Sequence, residues 1–505
     1  MEKTSKGKKR EALKKATPVI AFLERYVWVI WALLIGVTAF FVFFRLGAQP
    51  ARDFDEARHG VSAYEMLQNG EGVVNTYGYQ NDYYNLKPPI SFWAIMGGYK
   101  LFGYQLIGLR VYSAVAYLLT AVLAALFAGK RYGKLEMLAS AVLFSCAAPF
   151  YGYHYARNGD ADALFGLFFM IAVLAAMLTR ENPKWFPLCG LGFALAFLTK
   201  SWHAFLIAAI AGLILLMGRS LTKIPWKQWL LFLAGAILPI AVWAVLRYQA
   251  DGTEFFRKMV EVDLLHRVSG AVEGHTGGFF FYFKALLTKS WCAGPLFLCL
   301  CAYAVCGKRI EGRREGKLWQ DIPAYLIWMG VPLVFFTAVP TKIEWYILPA
   351  FVPVLLLTAL LLCHVARDCP RKILTWGAAA LFLLCAAADY RASWRMTIPT
   401  YEDSFQIYLS EYAAPLSGVH NQDAYVEIDG IDNPDQWKQR HLLMSELLMN
   451  LKCKNGGAEA FGKDGRPGSI LITTEEVYSA REELLKGFPV LDRTGGLICI
   501  QKPGS

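Results

Sequence analysis

Long apolar runs separated by short polar connections dominate the first 390 residues, and this pattern predicts membrane-spanning helices. Runs of about 17 to 25 predominantly apolar residues match the hydrocarbon thickness of a bilayer. Eleven occur, near 27–47, 107–129, 135–152, 161–179, 185–199, 201–217, 229–249, 291–306, 322–340, 345–364 and 372–389. Beyond about residue 391 the chain turns polar and its periodicity changes. Strands are predicted at Tyr425–Ile428, Ile470–Ile472 and Leu497–Ile500, with a helix near Asp435–Lys452 and another opened by Thr473 or Thr474 with Glu476. The pattern therefore divides the chain into a tail at 1–26, a transmembrane domain at 27–390 and a small soluble α/β domain at 391–505.

The first polar connection, 48–106, has structure of its own. Ala57 to Asn69 reads as an amphipathic helix with Val61, Tyr64 and Leu67 on one face and Asn69-Gly70 as its stop. Pro89 to about Phe102 is apolar but too short to span, as an interfacial or re-entrant helix is. Pro88 biases Lys87 towards extended geometry and Pro89 suits a first helical turn, so Lys87 sits on a stiff elbow at the membrane surface. A later connection, 250–278, reads as a helical stretch and a Gly-rich turn leading into the aromatic run FFFYF, which suits the interfacial belt.

Composition agrees with this pattern. Of 505 residues, 56% are hydrophobic and 14% aromatic, with a mean hydropathy of +0.34, which is the profile of a polytopic membrane protein. The formal net charge of +11 would suit a nucleic-acid ligand, but its distribution excludes that partner. Basic residues fall in the N-terminal tail and in every second connection, at 130–134, 180–184, 219–227, 308–317 and 367–372. This is the positive-inside pattern, and it places the N-terminus in the cytoplasm. An odd number of spans then puts the C-terminal domain outside, with the connections 48–106, 150–160, 250–290 and 340–344. The first span follows a basic region, and its apolar run is longer than a cleaved signal core, so it reads as a retained signal anchor. Nine of the eleven cysteines lie in or beside apolar spans without metal-ligand spacing. Cys453 and Cys499 lie in the soluble segment, where an outside location is compatible with a disulfide.

The outside connections carry the candidate chemistry. Asp53, Asp55 and Glu56 cluster just before a helix, with Arg58 and His59 behind them. Either aspartate could be a helix cap, but capping does not explain three carboxylates within four residues, an arrangement that suits a general base. The stretch YGYHYARNGDADALF adds His154, Arg157, Asp160 and Asp162, for which capping and a local ion pair are the plain alternatives. His266, Arg267 and His275 form a third cluster, and Lys342, Trp345 and Tyr346 a fourth. A fixed Arg or Lys beside a phosphate neutralises charge developing on a leaving group, whereas the same residues at helix ends often only snorkel. A divalent metal is compatible with the carboxylates, but no ligand spacing demands one.

Several of these motifs, DEARHG at 55–60, KPP at 87–89, ARNGDAD at 156–162, FLTKS at 197–201, HR at 266–267 before FYF, and KIEWYILP at 342–349, resemble in order and spacing those of the GT-C glycosyltransferases. The nearest groups are the lipid A aminoarabinose transferases and the protein O-mannosyltransferases, and the resemblance covers about residues 20–390. It implies a polytopic fold of about 11 to 13 transmembrane helices in the plasma (inner) membrane. It also implies inverting transfer of a sugar from a polyprenyl-phosphate donor to a lipid, glycan or protein acceptor at the outer face. Asp55 would be the base and Glu56 its acidic partner; Lys87, Arg267 and Tyr346 would bind the donor phosphate with Lys342 nearby, and Asp162 would face the sugar. Arg157, Asp160 and His266 join the substrate-binding set, with Arg58 and His59 behind the base. Asp160 and Trp345 are departures from the family pattern, and they bear on which sugar is carried. The alternative reading is a transporter or flippase of lipid-linked glycans. Such proteins place ionisable sites near the bilayer midplane, whereas these spans are nearly free of mid-helix charge.

Overall fold

The computed structural model describes residues 18–152, 154–266, 270, 275–289, 317–368, 372–412, 422–428 and 439–503. The span expected at 291–306, most of the basic tail and Arg267 lie outside the described residues. Among the described residues six helices are long and apolar enough to cross a membrane: Leu106–Arg131, Asp162–Thr179, Pro183–Met217, Trp226–Asp251, Lys317–Ala338 and Glu344–Ala366. The pair Pro18–Arg25 and Val27–Phe43, bent by 75°, would be a seventh. The chain is thus a polytopic α-helical membrane protein. Several expected spans are shorter or broken: 135–152 becomes a helix at Lys134–Cys146 and a short one at Ala148–Tyr151. Within Pro183–Met217, the helices Phe186–Lys200 and Phe205–Met217 are separated by a 3-10 turn at Ser201–Ala204.

Small side chains set the helix packing. Leu106–Arg131 buries Ala114, Ala121, Ala124, Ala125 and Ala128, which lets neighbouring backbones approach closely, as membrane helices do. The nearest approach is at Gly98 in the helix Ile90–Phe102, where a Cβ would sit 2.0 Å from the carbonyl oxygen of Gly108. By contrast Trp226–Asp251 exposes Leu230, Leu231, Ile237, Leu238 and Val242 along its length, which is the surface a helix offers to lipid. Basic residues from different connections converge at one end: buried Asp321 accepts from Arg131 Nη2 at 3.0 Å, Arg180 Nη1 at 3.1 Å and the Tyr132 hydroxyl at 2.6 Å. Lys317 and Arg131 also meet Glu181 there. Three of the connections that the charge pattern assigns to one face, 130–134, 180–184 and the end of 308–317, therefore meet.

The C-terminal domain is a five-stranded mixed sheet with strand order β4-β3-β5-β7-β6. A short hairpin in the first polar connection supplies β1 (Thr76–Tyr77) and β2 (Gln80–Asn81); β3 is Asp423–Glu427, β4 Lys452–Cys453, β5 Ile470–Thr474, β6 Val490–Thr494 and β7 Leu497–Gln501. The three expected strands are β3, β5 and β7, whose apolar residues are buried. The helix expected after Thr473 or Thr474 runs Glu475–Ala480, with Thr474 Oγ1 accepting from the Val477 amide at 3.2 Å. Unforeseen were β4, only two residues long, and β6, an exposed edge strand without an apolar stripe. Cys453 on β4 and Cys499 on β7 are separated by β3 and β5, and both thiols are free and buried. The disulfide is therefore not formed.

The two regions share one core. Helix Asp55–Asn69 buries Ala57, Val61, Tyr64 and Met66, packing with Ile95 and Tyr99 on one side and with Leu443 and Leu447 of helix Gln439–Met449 on the other. A Cβ on Gly60 would come within 2.6 Å of Leu443, so this glycine permits the close approach of the C-terminal domain.

Candidate active site

Three segments meet where helix Asp55–Asn69 begins, around a cavity of about 450 Å³. Phe54 precedes that helix at φ 64° and ψ −122°, a strained backbone for a non-glycine residue. No side chain caps the helix, so capping is not what Asp55 does. Its Oδ1 accepts from Lys87 Nζ at 3.1 Å and its Oδ2 lies 3.8 Å from His154 Nδ1, while the carboxylate keeps 39% of its surface exposed to the cavity. Burial works to raise the Asp55 pKa, but the Lys87 ammonium together with the His154 and His59 imidazoles outweighs it and holds the carboxylate below its ordinary value. Lys87 in turn stays charged: burial opposes its proton, and Asp55 with Asp160 retains it.

Lys87 reaches this position because of its neighbours. The hairpin β1–β2 turns through Gly78 (φ 65°) and Tyr79 (φ 60°), the backbone of a tight primed turn. Asp82 then accepts from the amides of Tyr84 and Asn85 at 2.9 and 3.2 Å, and Pro88-Pro89 lead into helix Ile90–Phe102. Arg58 ties this loop down. It pairs bidentately with Asp82 at 2.8 Å through Nε and Nη2 and lies 4.1 and 4.5 Å from the ring centroids of Tyr77 and Tyr84. Its guanidinium lines the cavity as a brace.

The ARNGDAD segment forms the second wall. His154, at φ 66°, is hydrogen-bonded through Nδ1 to Asp160 Oδ2 and stacks on Trp345, with ring centroids 3.6 Å apart. Burial would raise the Asp160 pKa, but His154 and Lys87 hold it far below the carboxylate range. Asp162 opens the helix Asp162–Thr179 and accepts from Lys200 Nζ at 2.5 Å. The third wall holds Lys200, Ser201 and His203 from the break in 183–217, together with Asp263, whose Oδ2 accepts from Ser201 Oγ at 2.8 Å. His203, Asp263 and Tyr346 also line a second, apolar cavity of about 390 Å³ with Trp202, Phe205, Phe335 and Phe336.

Other expected site residues lie elsewhere. Glu56 does not line the cavity: Arg110 takes both its oxygens, at 2.7 and 2.9 Å, and the amides of Gly159 and Arg52 complete its shell at 2.8 and 3.0 Å. With four donors on its two oxygens it braces the loop. Arg157 donates to the carbonyls of Phe41, Val42 and Arg45 and points away from the cavity. Lys342 donates to the carbonyls of Phe336, Thr337 and Val339, which makes it the C-terminal cap of helix Lys317–Ala338. His266 is exposed and away from the cavity, and Arg267 lies outside the described residues. His59 sits behind Asp55: Nδ1 donates to the Asp55 carbonyl at 2.6 Å, its ring stacks on Phe92 at 5.2 Å, and burial pushes its pKa down to about 4. It is therefore a neutral positioning residue near neutral pH. Lys200 was findable as a cation inside an apolar stretch. Gln439, which also lines the cavity, carries no sequence signal.

Asp55, His154 and Asp160 present ligand atoms within 4.8 Å of one another, so this is where a divalent cation would fit. The oxygen and imidazole donors suit such an ion, although the His154–Asp160 bond would have to open to admit it.

The family described as dolichyl-phosphate-mannose-protein mannosyltransferase matches residues 86–245. The structure of ArnT from Cupriavidus metallidurans in the apo state superposes with a TM-score of 0.65 over 94% of this chain and 97% of that one, at 16% identity. The chain has the fold of the GT-C glycosyltransferases. The GT-C neighbour bound to undecaprenyl phosphate superposes nearly as well, with a TM-score of 0.63, 16% identity, and 94% and 98% coverage. A curated relative, the undecaprenyl phosphate-alpha-4-amino-4-deoxy-L-arabinose arabinosyl transferase of Pseudomonas savastanoi pv. phaseolicola, is 27% identical over 314 residues, 60% of this chain. The match spans 56% of that relative's length, and the next two curated relatives are spanned to 60% and 59%.

Proposed function

We propose that the protein transfers a sugar from a polyprenyl-phosphate donor to an acceptor at the outer face of the membrane, with inversion at the anomeric carbon. One observation carries this reading: in a GT-C fold, the Asp55–Lys87 pair lines a polar cavity that adjoins an apolar one. The apolar cavity suits the first prenyl units and the polar one the sugar, with the phosphate between them. The acceptor's hydroxyl attacks the anomeric carbon, Asp55 takes its proton, and the sugar–phosphate bond breaks with its electrons going to the phosphate oxygen. Lys87 and Lys200 are the cations that offset this charge, and Trp345 with His154 offers an aromatic face to the sugar ring. The positive-inside pattern supports a cytoplasmic N-terminus, and with it an extracytoplasmic C-terminal domain at 391–505.

Lys87 cannot hold Asp55 and a phosphate equally well. A bound donor draws the ammonium away, and Asp55 becomes a stronger base when a substrate is present to use it. Lys87→Met removes the largest influence opposing burial, so the Asp55 pKa rises. The acid limb of the kcat profile, set by a group that must be ionised, is then expected to move up in pH while donor KM increases. A limb that stays in place in the variant would contradict the pairing. The reading as a whole is tested by incubating purified protein with radiolabelled polyprenyl-phosphate sugars and candidate acceptors. Product with inverted anomeric configuration supports it, whereas movement of the lipid across vesicles without transfer would establish a flippase.

A further inference from the structure

The residues that aim Asp55 are held from the C-terminal domain. The amide of strained Phe54 donates to Gln439 Oε1 at 2.8 Å, across 385 positions of sequence. Asp53 Oδ1 accepts from the Arg440 amide at 3.1 Å, and Asp53 Oδ2 lies 3.6 Å from Arg440 Nε, which also lies 3.3 Å from Asp403 Oδ2. Asp53 therefore binds the first turn of helix Gln439–Met449 instead of its own helix, where an N-terminal amide and the helix dipole favour a carboxylate. Gln439 is 2% exposed and lines the same cavity as Asp55.

We propose that Gln439 is a positioning residue for the base, and that the C-terminal domain thereby forms part of the reaction centre. This rests on the assignment of Asp55 as base. A positive φ at a phenylalanine persists only where its surroundings hold it. Gln439 supplies the acceptor that fixes the Phe54 peptide, and the Asp53–Arg440 contact fixes the peptide before it. Without Gln439 Oε1 the Phe54 N–H loses this hydrogen bond, and rotation of that peptide relieves the strain and turns the Asp55 carboxylate from Lys87. The effect is expected on proton transfer, because Gln439 bonds the peptide that carries the base and does not line the apolar cavity assigned to the prenyl units.

The test compares Gln439→Met, which fills similar space without the acceptor, with Gln439→Glu, which keeps an acceptor oxygen, using full-length protein in detergent or nanodiscs. Gln439→Met is expected to lower kcat about tenfold or more with donor KM within twofold of wild type, and Gln439→Glu to recover most of that loss. In an Asp55→Asn background Gln439→Met should cost nothing further, since two residues serving one step are not additive. Wild-type kcat in Gln439→Met, or equal losses in both variants, would overturn the proposal. If Gln439→Met does not fold, Gln439→Asn, which shortens the reach to the Phe54 amide, gives the same comparison. Full activity in Asp55→Asn alone would instead remove the base assignment and leave Gln439 a packing residue.

Discussion

Asp55→Asn is expected to lower kcat for sugar transfer by about 10²–10⁴ without weakening the donor's hold on the protein. Asparagine keeps the shape of the side chain and can still accept from Lys87, so helix Asp55–Asn69 and its packing against Leu443 should persist. The proton acceptor is lost. Binding should move the other way: Lys87, no longer held by a carboxylate, is freer for the donor phosphate, so the donor Kd should be unchanged or smaller. Single-turnover transfer and equilibrium binding of a polyprenyl phosphate separate the two effects. Undiminished turnover in the purified variant would exclude Asp55 as the base, and a weakened donor Kd would show that Asp55 acts through binding.

The helices, the elbow at Lys87 and the three apolar strands of the C-terminal sheet were legible because each has a local cause: an apolar run, a Pro-Pro pair, a buried β-branched stretch. The convergence of Asp55, Lys87, His154 and Tyr346 followed from placing their connections on one face. What each charge does there was not legible. Glu56, Arg157 and Lys342 look like site residues in sequence because charge near a membrane surface is unusual, yet each is consumed by a partner that only the tertiary structure supplies. Arg110 takes Glu56, the carbonyls after the first span take Arg157, and the end of helix Lys317–Ala338 takes Lys342. Asp53 caps a helix, as one alternative had it, but a helix nearly four hundred residues away. Sequence spacing carries no information about a partner at that distance.

The second large effect is expected from the Glu56–Arg110 pair, and it should appear in stability. Arg110 is 1% exposed and its guanidinium is fully used: besides Glu56 it donates to the carbonyls of Leu46, Gln49 and Pro50 at 3.0, 2.8 and 3.0 Å. Glu56 meanwhile receives the Gly159 amide at 2.8 Å, so one buried pair fastens the end of the first span, the start of the first polar connection and the ARNGDAD segment together. Glu56→Leu leaves the Arg110 charge without a counter-ion, which costs about 3–5 kcal/mol, and should lower the thermal midpoint sharply. Burial works to raise the Glu56 pKa and Arg110 outweighs it, so the net value is depressed. The pair's contribution is therefore present above the unfolded value of 4.5 and is lost as pH falls through the folded one. The double variant Glu56→Leu with Arg110→Met removes both charges and should recover much of the midpoint, because the larger part of the cost is the orphaned cation. A Glu56→Gln protein that keeps its thermal midpoint but loses kcat would instead restore Glu56 to the chemistry.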